Sequence, residues 1–135
     1  MDTPTVLLLQ YDRALREVCR RVLIQGGYDV VAPPPGKLGL DDLWRTDDHF
    51  TAIVADTNAS ATRLSALIGL ASLRRPPLPV LVLTAGRAAD VAVPSAIETT
   101  VRVLEKPFDA TKLRTALKEL IDAHACRGVQ EKRAL

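Results

Sequence analysis

Five short apolar runs, set apart by stretches of helical periodicity, constrain this chain more than any other feature. Thr5–Gln10 (TVLLLQ) is almost unbroken, as expected of a strand buried on both faces, which has no solvent side for polar residues. Asp29–Ala32 (DVVA), Ala52–Asp56 (AIVAD), Val80–Thr84 (VLVLT) and Val101–Leu104 (VRVL) repeat the pattern. After the first run, Leu15, Val18, Cys19, Val22 and Leu23 follow the i, i+3, i+4, i+7, i+8 stripe of an amphipathic helix. Asp12 is placed to cap its start and Gly26-Gly27 to stop it. Pro33-Pro34-Pro35-Gly36 must be loop, because proline donates to neither helix nor ladder. Leu38, Leu40, Leu43 and Trp44 predict a short second helix. Leu64, Leu67, Ile68 and Ala71 predict a third, stopped by Pro76-Pro77. Residues Ala88–Thr99 carry Pro94 in their middle and have no single local reading. Asp109 caps a last helix striped by Leu113, Ala116, Leu117, Leu120 and Ile121, and from Ala125 the chain turns polar and is expected to fray.

Strands alternating with helices give an α/β domain with a parallel sheet covered on both sides. Right-handed crossovers and the length of 135 residues favour a flavodoxin-like (βα)5 sheet of order 2-1-3-4-5. The domain is expected over residues 4–124, with 125–135 a polar tail or the start of a linker. A net charge of +2 gives no field for nucleic acid or an anionic membrane. No apolar run reaches the roughly 20 residues of a membrane helix, and Met1–Pro4 lacks the basic start of a secretory signal, so the expected location is cytoplasmic. Cys19 and Cys126 form no motif: Cys19 reads as core packing and Cys126 as an exposed thiol. Asp41, Asp42, Asp47, Asp48 and His49 read as a solvated face rather than a metal cluster, and His124 as a cation near a helix end.

In a sheet of this order, ligands bind beyond the carboxyl ends of the strands, beside the switch point between strands one and three. The residues there are Gln10, Tyr11 and Asp12; Asp56, Thr57 and Asn58; Thr84 and Ala85; and Lys106 and Pro107. An Asp, a Thr and a Lys ending strands three, four and five suit phosphoryl chemistry. A carboxylate can accept the group, while a hydroxyl and an ammonium hold its oxygens. Neither a Gly-x-Gly-x-x-Gly after strand one nor a Walker loop is present, which argues against a nucleotide-binding enzyme of similar architecture.

On these residues the chain resembles the receiver domain of two-component response regulators, over about residues 4–124. Lys106-Pro107-Phe108 before a capped helix matches the family's Lys-Pro-Phe signature, and Thr84-Ala85 its Ser/Thr-Ala pair. Asp56 stands where the family has its phospho-acceptor, and Asn58 follows two residues on. The run Ala14–Val30 resembles a receiver's first helix and second strand. The resemblance implies a signalling module rather than an enzyme. Its implied partners are a histidine kinase or an output protein, met through the fourth helix, fifth strand and last helix, with a second copy of the chain a further candidate.

The departures are specific. Receivers end strand one with two acids that hold Mg²⁺; here those positions are Gln10 and Tyr11, and Asp12 falls one place late. Ser60 and Leu64 replace the usual proline and glycine after the acceptor, and Val103 replaces the switch aromatic. The metal ligands left are Asp56 and Asn58, with the amide oxygen of Gln10 at best. Mg²⁺ is therefore expected to bind weakly, no cofactor is firmly implied, and Lys106 is expected to pair with Asp56 directly. The sequence reading is an atypical receiver acting by protein–protein contact, with weak or absent phosphorylation. The alternative is a working receiver phosphorylated on Asp56.

Overall fold

A computed structural model describes residues 3–10, 12–32, 50–56, 61–73, 77–87, 91 and 100–134. The short helix expected at Leu38–Trp44, the cluster of Asp41, Asp42, Asp47, Asp48 and His49, Tyr11, Thr57, Asn58, Arg74, Arg75 and Pro94 lie outside the described residues.

The described elements run β1 (Thr5–Leu9), α1 (Arg13–Gln25), β2 (Asp29–Val31), β3 (Phe50–Asp56), α2 (Ala61–Leu73), β4 (Val80–Thr84), β5 (Val101–Glu105) and α3 (Ala110–Ala134). All neighbouring strands pair in parallel, in the order β2-β1-β3-β4-β5. This is the flavodoxin-like sheet that the alternation predicts.

The continuous apolar runs are explained by two cores, one on each side of the sheet. Val6 and Leu8 of β1, Ala52 and Val54 of β3 and Leu81 and Leu83 of β4 pack with Cys19 and Leu23 of α1 and Leu113 and Leu117 of α3. Their alternates, Leu7, Ile53, Ala55, Val80 and Val82, pack with Leu67, Ile68 and Ala71 of α2. A period of two thus assigns each strand residue to one layer. The same alternation places Gln10 and Asp56 on the α1/α3 side and Thr84 with the α2 side.

The caps of α1 form as the sequence predicts. The Asp12 carboxylate accepts from the Leu15 N–H at 3.0 Å. At the other end, Tyr28 N–H donates to Leu23 C=O at 3.1 Å and Gly27 N–H to Ile24 C=O at 3.0 Å, with Gly27 at φ 94°. That is a Schellman stop, and its positive φ favours glycine.

Two expectations change. Val18 lies on the predicted stripe yet is 56% exposed, because the helix turns only Cys19 and Leu23 fully toward the sheet, with Leu15 and Val22 half-buried. The last helix does not fray after Ala125 but continues to Ala134, so His124 sits within it rather than near its end. Polarity ends a buried stripe, not a helix. Residues 125–134 hold good helix formers, no proline and a single Gly128, which costs only about 1 kcal/mol.

Candidate functional site

The register of the sheet gathers the site at its carboxyl edge. Leu9 is level with Ala55, so Gln10, just past β1, lies beside Asp56 at the end of β3. Thr84 is level with Glu105, which brings Lys106 just past the end of β4. The Lys106 N–H donates to the Thr84 carbonyl at 2.7 Å, fixing where the lysine leaves the sheet. The Lys106–Pro107 peptide bond is cis. Asp109 then caps α3, accepting from the Lys112 N–H at 2.7 Å.

Three side chains meet. Asp56 is fully buried, Gln10 is 4% exposed, and the Lys106 side chain keeps 20% of its surface. The Lys106 ammonium forms an ion pair and hydrogen bond with Asp56 Oδ2. Gln10 Nε2 donates to the same oxygen at 2.7 Å. Gln10 Oε1 in turn accepts from the Asp12 N–H at 3.1 Å. The amide orientation is dictated by its neighbours, since a carboxylate only accepts and a backbone N–H only donates.

This reverses the role that sequence reasoning left for Gln10. Its oxygen is not offered as a metal ligand; it holds the start of α1, and its nitrogen faces the acceptor. Asp12, the remaining acid near strand one, is committed to Leu15. Among the described residues no group of three His, Cys, Asp or Glu could hold a metal. A divalent cation needs oxygen donors where Gln10 turns an N–H toward Asp56, so the described residues do not fit Mg²⁺. Asn58, the other ligand expected from sequence, lies outside them.

Thr84 is buried at the end of β4, and its hydroxyl accepts from the Gly86 N–H at 3.0 Å. Val103 is half-buried on β5.

A residue that sequence reasoning treated as plain core, Cys19, feels this cluster. Burial, with the Asp56 charge adding and the Lys106 charge opposing, pushes its thiol up to about 11. The reactive form is the thiolate. At pH 8 the native protein therefore carries roughly a hundredth of the thiolate of an ordinary cysteine. In a Cys126→Ser protein, iodoacetamide should modify Cys19 at least about 100-fold more slowly in the native state than in denaturant. Comparable rates would mean that Cys19 is not buried beside the pair. Because the folded value lies above the unfolded one, this contribution to stability is fully present below pH 9 and is lost as pH rises toward about 11.

An acid at the switch point, with a hydroxyl and a lysine ending the next two strands, is the arrangement of a phosphoryl-signalling receiver. No known family model matches the chain. It is 38% identical over 120 residues, 89% of its length, to the response regulator protein FleR of Pseudomonas aeruginosa, and spans 24% of that protein. Among solved structures it is similar to a response regulator receiver protein from Sinorhizobium medicae (TM-score 0.71, 21% identity, 91% of this chain and 98% of that one). It is also similar to a response regulator from Thermotoga maritima (TM-score 0.72, 21% identity, 90% and 99% covered). A third is the signal receiver domain of a putative Luxo repressor protein from Vibrio parahaemolyticus (TM-score 0.73, 21% identity, 96% and 98% covered). The chain is a response-regulator receiver domain.

Proposed function

We propose that this receiver is atypical: a cytoplasmic, non-catalytic signalling module that works by protein–protein contact, with Mg²⁺-dependent phosphorylation of Asp56 weak or absent. One observation carries the reading. The buried Asp56 carboxylate has Oδ2 held by two donors of its own chain, Gln10 and Lys106. Phosphoryl transfer needs a cation to neutralise the transferred group, and the acids that hold it in ordinary receivers are missing from strand one. The second half of the usual device is altered too. Val103 is a short β-branched side chain with no ring to swing between buried and exposed positions.

The partner, a histidine kinase or an output protein, would then recognise a resting surface. The described part of that surface is the edge strand β5 and α3, bridged by Arg102 and Glu119 at 2.5 Å. A second copy of the chain could use the same face.

The test is incubation with a small phosphodonor and Mg²⁺, followed by mass spectrometry. The expected result is no gain of a phosphoryl group, and partner binding near wild type in a folded Asp56→Asn protein. Stoichiometric phosphorylation of Asp56, or loss of binding in that variant, would restore the reading of a working receiver.

A further inference from the structure

In Gln10 one planar amide does two jobs: Nε2 holds the Asp56 carboxylate and Oε1 holds the Asp12 backbone N–H. Asp12 is also the residue whose carboxylate caps α1 through Leu15. A rigid three-atom group therefore joins the buried acid of β3 to the first turn of a helix. Chain distance cannot supply this link, since Gln10 and Asp56 are 46 residues apart. On the other side of the site the Lys106 ammonium holds the same oxygen. The Thr84 hydroxyl closes a local turn with Gly86, and the Lys106 N–H donates to the Thr84 carbonyl.

We propose that Gln10 is a positioning residue that couples the hydrogen bonding of the Asp56 side chain to the start of α1, so that a substitution at this carboxylate is read at the β1–α1 turn. The inference rests on the reading of Asp56, Lys106 and Gln10 as a resident cluster rather than a metal pocket. A charged acceptor holds the amide more tightly than a neutral one. Weakening that hold frees Gln10 to rotate, and the Asp12 N–H then loses a fixed acceptor. The coupling is a free energy, so it also runs backward: whatever binds the β1–α1 turn and displaces the Gln10 oxygen loosens its nitrogen from Asp56.

Amide hydrogen exchange at Asp12 reads the link, and Lys112, capped by Asp109 at the start of α3, is the control. In Asp56→Asn, Asp12 protection should fall about fivefold while Lys112 stays within about twofold. In a Gln10→Met background, the same change at Asp56 should move Asp12 by less than about twofold. Gln10→Met alone, with Asp56 intact, should lower Asp12 protection as far as Asp56→Asn does, which keeps the test decisive if the Asp56 variant does not fold. Unchanged Asp12 protection, parallel loss at Lys112, or an equal loss without Gln10 would overturn the proposal. Phosphorylation of the wild-type protein would count against the atypical reading alone, because the exchange cycle contains no phosphodonor.

Discussion

Replacing Lys106 by Met should destabilise the domain by about 3–5 kcal/mol, the cost of leaving a buried charge without its counter-charge. Asp56 has no exposed surface, so in this variant its charge has only the Gln10 amide and its remaining neighbours to hold it. Urea denaturation monitored by circular dichroism measures the loss directly. The paired change Lys106→Met with Asp56→Leu should recover most of it, because an apolar pair of similar volume removes both charges together. The contrast separates a compensated buried pair from a surface salt bridge. A single-variant cost below about 1 kcal/mol would place Lys106 among the solvated pairs that contribute little. Glu17 with Arg20 and Arg21 illustrates that other class: those side chains are 42–72% exposed and satisfy one another along one helix face.

The central strands β1, β3 and β4 were legible because they are buried on both sides. Val80–Thr84 begins and ends where its apolar run does, and β3 extends its run only to Phe50 and Thr51. The caps of α1 were legible because capping is local chemistry: Asp12 acts within three residues and Gly27 within its own turn. Val18 was misplaced because the stripe of a short helix is wider than the part that touches the sheet. The end of α3 was misplaced because burial and helicity were read as one signal. In the site, Asp56, Thr84 and Lys106 could be named from strand ends, since the register of a parallel sheet brings strand ends together. The orientation of Gln10 could not. Which end of an amide faces a carboxylate depends on a donor at Asp12 and an acceptor 46 residues away, and neither is visible in a periodicity.

Gln10→Glu should turn the domain into one whose stability depends on a divalent cation. The new carboxylate would keep an acceptor for the Asp12 N–H but would meet Asp56 Oδ2 across the present 2.7 Å contact. Losing a charge-assisted donor and gaining a like charge at that range should cost about 3 kcal/mol or more in metal-free buffer, with Lys106 offsetting part of the repulsion. Two facing carboxylates are also what a hard cation requires. Mg²⁺ added to about 100 times its dissociation constant would return about 2.7 kcal/mol to the variant. The wild-type melting curve should not respond to the same titration, because its pocket turns the Gln10 N–H, not a carboxylate, toward Asp56. Thermal melts of both proteins across a Mg²⁺ series decide the matter. A wild-type curve that rises as far as the variant's would mean that ligands outside Gln10 and Lys106 already hold the metal. A variant as stable as wild type without metal would mean that Gln10 does not press on Asp56. The expected pattern, flat for one protein and steep for the other, would identify a single amide as what denies the cation a site in this receiver.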